Sequence, residues 1–275
     1  VQGRGINSLR DLRVLPRLSD AVAQSSAPTE RQGALFAYET LTRTLRVLFE
    51  PYVRGILGDL LVCFGDTHAE VREATEDAAR ALMQHISGQC LKQVLPQLLE
   101  GLEEKQWRTK KGAIELLGAM AYCAPRQLSA ALPTVIPRLS EVLADSHTQV
   151  RTAANKSLKQ FGKVIHNPEV NALVPVLLKA LVDPNAKTAA ALRALLETKF
   201  VHYIDAPSLA LIAPILERGL RERVVGSQKN AAQIVGSLAS LTDARDFVPY
   251  LPRYTPLVRA VLVSPVPDAR SVAAK

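Results

Sequence analysis

Apolar residues recur along the chain in blocks that repeat about every 40 residues. Each block places apolar residues before a proline and leucine-rich positions after it, as in Val94-Leu95-Pro96-Gln97-Leu98-Leu99. Equivalent frames surround six prolines and one glycine: Pro16, Gly58, Pro96, Pro137, Pro175, Pro214 and Pro256. This pattern predicts seven first helices, near residues 8–22, 51–64, 90–103, 129–144, 168–182, 207–222 and 246–263. Each proline removes a backbone donor, so a bend or an early break is expected there.

A second pattern follows each frame. An acidic or polar residue lies eight positions after the proline, a basic residue lies about six positions further on, and small residues such as Ala153 and Ala154 come next. This order predicts a tight turn and a second helix whose small residues allow close approach to its neighbours. The second helices are expected near residues 30–49, 69–87, 106–122, 148–165, 185–199, 227–241 and 267–275.

The acidic turn positions are expected to be structural. An Asp at a helix start can accept hydrogen bonds from the first backbone N–H groups, and a base of the same or a neighbouring unit can pair with it. The predicted residues of this ladder are Asp66, Arg72, Asp145, Arg151 and Asp183.

A period near 40 residues with two helices per repeat is typical of HEAT and armadillo arrays. The pattern favours the HEAT type, so the predicted fold is an all-α HEAT-repeat α-solenoid with about seven helical-hairpin units. We expect one continuous array over residues 1–275. The first residues look like the tail of an earlier helix, and the last unit stops within its second helix. The array is therefore expected to be incomplete at both ends and to belong to a longer solenoid.

Composition agrees with stacked helices, since 48% of residues are hydrophobic and only 5% are aromatic. No apolar run approaches the roughly 18 residues that predict a membrane span. Cys63, Cys90 and Cys123 are odd in number and widely spaced. That pattern indicates reduced core residues of a cytoplasmic protein rather than disulfides or metal ligands.

No catalytic motif stands out. The five histidines share no spacing that would place two of them on one helix face with a carboxylate. Gly-rich phosphate loops, Gly-x-Ser-x-Gly and His-Glu-x-x-His are all missing from the sequence. His68 and His147 each follow a turn Asp by two residues, which a repeated turn position explains. The sequence thus predicts a non-enzyme without cofactor or metal.

The charge balance points toward polyanions. Lys and Arg number 34 against 26 Asp and Glu, a net charge of +8, which favours partners such as RNA. Lys156, Lys159 and Lys163 recur on one helix face. A phosphate-contacting face and a solvated face both fit that spacing. Trp107, which directly precedes the basic residue Arg108, is expected to be a packing anchor rather than a base-stacking residue. The candidate contact residues are Arg108, Lys110, Lys111, Lys156, Lys159 and Lys163.

Several segments together resemble one family. The chain resembles the elongation-factor-three-like HEAT region of the general-control ribosome-bound translational activators. The resemblance is carried by Arg31–Glu39, Leu61–Asp66, Trp107–Lys110 and, as the longest distinctive stretch, Leu195–Ile212. The resemblance implies a cytoplasmic scaffold that binds stalled or collided ribosomes and supports activation of the starvation-responsive kinase of initiation factor two. It also implies contacts with rRNA and ribosomal proteins and an ABC-type ATPase partner. The kinase would bind through other parts of the full-length protein.

Two other classes remain open. Nuclear transport receptors also stack HEAT units, but they present acidic inner faces to basic cargo, and the net charge here is positive. A generic HEAT scaffold, for a phosphatase or the cytoskeleton, would need no basic face. Sedimentation with ribosomes at low and high salt distinguishes these two hypotheses from ribosome binding.

Overall fold

The computed structural model describes residues 5–275, which are almost entirely helical. In chain order the helices are α1 (Ser8–Asp11), α2 (Val14–Gln24), α3 (Pro28–Leu45), α4 (Val53–Phe64), α5 (Ala69–His85), α6 (Gly88–Glu100), α7 (Trp107–Cys123), α8 (Pro125–Val142), α9 (Thr148–Phe161), α10 (Pro168–Val182), α11 (Pro184–Glu197), α12 (Ala206–Arg221), α13 (Val225–Leu241), α14 (Ala244–Phe247), α15 (Leu251–Leu262) and α16 (Pro267–Ala273). Short 3₁₀ segments lie at Arg46–Tyr52, Gly162–Val164 and Val248–Tyr250.

Within residues 5–275, seven consecutive helix pairs confirm the predicted all-α HEAT-repeat fold. The first helices are α2, α4, α6, α8, α10, α12 and α15, and each is followed by its second helix. Most boundaries lie within a few residues of the expected ones, and α10 begins and ends where the sequence placed it. Between residues 5 and 275 there is no β-strand, only an isolated bridge between Ile204 and Thr242. The expected helix tail in residues 1–4 lies outside the described residues.

The chain divides into two compact lobes. The N lobe contains the residues up to Gln127 together with Ala144–Ser157, and the C lobe contains Leu128–Leu143 and Leu158–Lys275. Within the N lobe, α4 packs against α2 and α6, while α5 packs against α3 and α7. Within the C lobe, α12 packs against α10 and α15, and α13 packs against α11 and α16. Each lobe thus contains a layer of first helices and a layer of second helices. A single continuous array over residues 1–275 stays a prediction.

Small residues set the spacing of the helices in the N lobe. Ala113 and Ala154 are fully buried. At Gly112 an added Cβ would come within 2.5 Å of the Phe64 ring, so α7 can approach α4 this closely only because the residue has no side chain. The sequence pattern of small residues on second helices therefore corresponds to direct helix contact.

The repeated prolines do not end the first helices. Pro96, Pro175, Pro214 and Pro256 all lie inside helices that continue beyond them. Around Pro96, Val94 and Leu98 are almost completely buried. Burial of this apolar face stabilises the helix more than one missing backbone hydrogen bond weakens it, so the expected break does not occur.

Candidate functional site

Three of the turns within the helix pairs share one hydrogen-bond pattern. Arg72 donates from Nη1 to the carbonyl oxygens of Asp66 at 2.8 Å and Thr67 at 2.9 Å. The same pattern recurs from Arg151 to Asp145 (2.6 Å) and Ser146 (2.7 Å), and from Arg270 to Ser264 (2.7 Å) and Pro265 (3.1 Å). These carbonyls lack helical partners because they follow the end of the first helix. Arg72 and Arg151 therefore bind the backbone of the turn and not the carboxylates of Asp66 and Asp145.

A base of the preceding second helix binds the turn carboxylate instead. Asp66 accepts hydrogen bonds from Arg31 Nε at 2.8 Å and Nη2 at 3.1 Å, and from the His68 backbone N–H at 2.8 Å. Burial alone would raise the pKa of Asp66, but Arg31 and the His68 amide outweigh it and lower that pKa below its usual value. This carboxylate therefore stays ionised and links α3 to the turn before α5.

Asp145 repeats the arrangement with a lysine. Lys110 Nζ lies 2.7 Å from its Oδ2, and the His147 N–H donates to Oδ1 at 2.8 Å. The Lys110 ammonium is the main reason that the pKa of Asp145 is lowered, followed by the His147 amide. Lys110, a candidate contact residue, is thus mostly buried in a structural ion pair, with 19% of its side chain exposed.

Asp183 has a simpler role. Its Oδ1 accepts the Ala186 backbone N–H at 3.3 Å and so caps α11. Within residues 5–275 its carboxylate has no ion-pair partner. The ladder therefore contains two interhelical ion pairs at the turn acids and one capping carboxylate.

The start of α7 contains an aromatic and basic cluster. The Trp107 indole stacks on the His147 ring with centroids 4.0 Å apart, and the Arg108 guanidinium lies 4.7 Å from the indole centroid. Trp107 is therefore packed against its own neighbours, as expected for an anchor. Lys111 Nζ lies 3.4 Å from a Glu115 oxygen. A small cleft of about 120 Å³ is lined by this cluster and by Arg72, Glu76 and Gln149.

The lysines of α9 face solvent. Lys156 and Lys159 are exposed, while Ser157 and Leu158 between them are 1% exposed. Ser157 Oγ donates to the Ile114 carbonyl oxygen at 2.9 Å, which holds this part of α9 against α7. Among the described residues, neither Lys156 nor Lys159 has an ion-pair partner. Lys163 is also exposed and lies in the 3₁₀ segment after α9.

Sequence reasoning missed Arg31 as the partner of Asp66. The signal was present, because Arg31 precedes Asp66 by 35 residues and Lys110 precedes Asp145 by the same interval. The stack of Trp107 on His147 was also missed. No pattern within one repeat shows it, because the two rings belong to neighbouring helix pairs.

The described part of the chain offers neither a metal site nor a membrane-spanning helix. None of its clusters of His, Cys, Asp and Glu is large enough to hold a metal ion. Across the same residues, every helix is too short or too polar to cross a membrane.

Two family profiles match the chain. The EF3 N-terminal HEAT repeat matches residues 1–158, and the Elongation factor 3/GNC1 HEAT repeat matches residues 186–275. The stalled ribosome sensor GCN1 of Homo sapiens is 53% identical over 275 residues, which is 100% of this chain and 10% of that protein. The eIF-2-alpha kinase activator GCN1 of Saccharomyces cerevisiae is 45% identical over the same 275 residues, and this chain again covers 10% of that protein. The chain thus spans about a tenth of the length of these relatives.

Solved structures share the fold. Kap121p, in its crystal structure bound to Pho4p, superposes with a TM-score of 0.53 over 97% of this chain and 29% of the Kap121p chain. Sequence identity in that comparison is 14%, so it shows a common helical architecture alone.

Proposed function

This chain belongs to the family of elongation factor 3 and GCN1 HEAT-repeat proteins, and from that premise we propose that it is a ribosome-associated scaffold segment in translational control. It would bind stalled or collided ribosomes and support activation of the kinase of initiation factor two. The observation that carries this proposal is the 53% identity to a stalled ribosome sensor over all 275 residues. The setting would be the cytoplasm, and the segment would act by binding and not by catalysis.

Basic residues in or directly after the second helices, three of them exposed and two half-buried, are the proposed ribosome contacts. Lys156 and Lys159 on α9 are exposed and would meet rRNA phosphates, as would the exposed Lys163 directly after α9. Arg108 and Lys111 at the start of α7 add positive charge in the N lobe. Lys110 is removed from the proposed contact set, because binding a phosphate would require it to leave Asp145.

Other partners of the full-length protein follow from the same premise. The kinase would bind through parts of the scaffold beyond this segment, and an ABC-type ATPase would bind to or near this region. Ribosomal proteins would share the contact with rRNA. The likeness to Kap121p supports a common architecture only, so a transport-receptor function is not proposed.

Co-sedimentation with ribosomes tests the proposal. Binding of the 275-residue chain should weaken as salt rises, because each neutralised phosphate releases counterions. The triple variant Lys156→Glu, Lys159→Glu, Lys163→Glu should lose most ribosome binding while circular dichroism shows unchanged helicity. A matched control changes three exposed bases elsewhere by the same charge: Arg17→Glu, Lys92→Glu and Lys199→Glu.

The outcomes separate the alternatives. If the α9 triple variant sediments with ribosomes as well as the wild-type chain does, the α9 lysines are a solvated face. If it loses a ribosomal protein contact but keeps RNA-dependent binding, the surface recognises an acidic protein. A wild-type chain that stays at the top of the gradient at low salt contradicts ribosome binding by this segment.

A further inference from the structure

We infer that the turns within the helix pairs of the C lobe form a docking surface for an extended acidic protein segment with regularly spaced apolar side chains. Three turns contribute, between α10 and α11, between α12 and α13, and between α15 and α16. They lie in a row because α12 packs against α10 and α15, and α13 against α11 and α16. Lys229 Nζ lies 3.3 Å from Asp268 Oδ2, which joins the first turns of α13 and α16, directly after the second and third turns. We call this row the valine edge.

Each turn of the valine edge has at least one exposed valine within it or directly before it. Val182 is 39% exposed, Val224 63%, Val263 81% and Val266 38%. Leu262 adds a fifth partly exposed apolar side chain. Val224 and Val266 occupy equivalent positions of neighbouring repeats, and Val182 and Val263 share a second position in the first and third of the three repeats. Single exposed apolar residues are common on protein surfaces, but a group of them along one edge is a feature of interaction sites.

The fold does not require valine at these positions. Val224 and Val266 directly precede α13 and α16, where the chain enters the second helix. The equivalent residues in the N lobe are His68, Gln106 and His147, which directly precede α5, α7 and α9. The same turn therefore accepts polar residues, and valine is a poor choice for a residue before a helix. A role outside folding explains why this edge is apolar.

The net charge of the valine edge is positive. Arg221, Arg223 and Arg259 are exposed, and none of them has an ion-pair partner within the described C lobe. Arg218 differs, since it is half-buried and donates to the Ala180 carbonyl oxygen at 3.3 Å. Between residues 179–187, 217–229 and 259–270 there are eight bases and four acids. Acidic side chains of a partner would therefore find free guanidinium groups beside the valines.

The distance between successive repeats determines how apolar side chains must be spaced in the partner segment. Packed helices lie about 8–10 Å apart, so equivalent residues of successive turns recur at about that distance. An extended chain rises about 3.1–3.3 Å per residue, so every third side chain meets a turn. The partner segment that fits this spacing has an apolar residue at every third position and acidic residues between them. RNA lacks the apolar side chains that would cover the valines, which favours a protein partner.

Fluorescence anisotropy with labelled peptides tests this inference on the 275-residue chain. The probe is a fluorescein-labelled twelve-residue peptide that repeats Asp-Glu-Leu, and the comparison peptide repeats Asp-Glu-Ser. We expect saturable binding of the leucine peptide and about tenfold weaker binding of the serine peptide, because contacts with the valines are lost. A fluorescein-labelled twelve-nucleotide uridine RNA should bind more weakly than the leucine peptide.

Matched variants identify the surface. Val224→Ser with Val263→Ser should weaken binding of the leucine peptide about tenfold. Serine is a favoured residue before a helix, so the change at 224 should not unfold α13. The control Val62→Ser with Val201→Ser removes two equally exposed valines away from the edge and should leave affinity unchanged. Arg221→Ser with Arg223→Ser should weaken binding and reduce its salt dependence.

Several results would overturn the inference. These are an absence of saturable binding to the leucine peptide, equal affinity for the leucine and serine peptides, and a loss of affinity in the control equal to that in the edge variant. Tighter binding of the uridine RNA, lost in the Arg221 and Arg223 variant, would show a nucleic-acid surface instead. None of these results depends on whether the α9 lysines bind ribosomes.

Discussion

Lys110 donates to Asp145 across 2.7 Å and so connects α7 to the turn before α9. The same carboxylate accepts the His147 backbone N–H. One side chain thus stabilises both its own turn and the contact with the preceding helix pair.

Replacing Asp145 by alanine should remove both interactions. We expect Asp145→Ala to lower the free energy of unfolding by about 1–3 kcal/mol, because a helix-start acceptor and a charged hydrogen bond are lost together. Urea denaturation followed by circular dichroism measures the change. The exposed Asp20 on α2 provides the control, and Asp20→Ala should shift stability by less than about 0.5 kcal/mol. Equal effects at the two positions would contradict the structural role of Asp145.

The same variant separates structure from ribosome binding. Asp145→Ala should still sediment with ribosomes at a temperature where it is folded, because the carboxylate belongs to the ladder and repels phosphate. A folded Asp145→Ala chain that fails to bind ribosomes would place the turn acids in the binding surface.

Stability should fall in acid. The folded chain holds the pKa values of Asp66 and Asp145 below their usual value of 3.8. Each carboxylate therefore contributes stability that is complete above that value and is lost as the pH falls through the lower folded pKa. Denaturation midpoints measured between pH 6 and pH 2 should decrease most steeply below about pH 4. Asp66→Asn with Asp145→Asn should flatten this decrease, and an unchanged slope would argue against the pairing.

Two glycines should respond oppositely to alanine. At Gly112 the new methyl group would collide with the Phe64 ring at 2.5 Å, whereas at Gly236 no atom lies within 4 Å. Both glycines lie inside helices. We expect Gly112→Ala to destabilise the chain by about 1–3 kcal/mol and Gly236→Ala to stabilise it by roughly 0.5–1 kcal/mol. Thermal melts of the two variants distinguish close helix packing from simple helix propensity.

The cysteines should differ in reactivity. Burial raises the pKa of Cys63 to about 11 and that of Cys90 to about 11, so at pH 8 roughly one thiol in a thousand is ionised. Cys123 is only half-buried. Iodoacetamide should therefore modify Cys123 first in the native chain and all three cysteines in denaturant. Mass spectrometry of the labelled peptides reports the order, and early labelling of Cys63 would show that the α4 core is open.

The helix pairs could be predicted from sequence because their signal is local. An apolar stripe, a polar turn and small residues recur within each 40-residue block, and α10 was located to the residue. The predicted helix break at the prolines was wrong for a physical reason, and the predicted bend stays a prediction. The cost of a missing N–H is local, whereas the burial that offsets it comes from neighbouring helices.

The ladder could be predicted only in part. Its acids were identified, but the bases that bind Asp66 and Asp145 were not. Arg72 and Arg151 are nearer to them in sequence, while Arg31 and Lys110 are nearer to the carboxylates in space. The exposure of the valines of the C lobe could not be predicted from the sequence, because the sequence does not show whether a valine in a turn is buried or exposed.

The hydrogen bonds from arginine side chains to the turn backbone allow the turn residues of these repeats to differ in sequence. Arg72, Arg151 and Arg270 bind main-chain carbonyls, and every amino acid supplies such a carbonyl. The acceptor residues accordingly differ from turn to turn: Asp66 and Thr67, Asp145 and Ser146, Ser264 and Pro265. Between α12 and α13, Gln228 makes the equivalent bond to the Glu222 carbonyl at 2.8 Å. One long donor side chain thus leaves the turn surface open to mutation, and new binding specificities can arise there without loss of the hairpin.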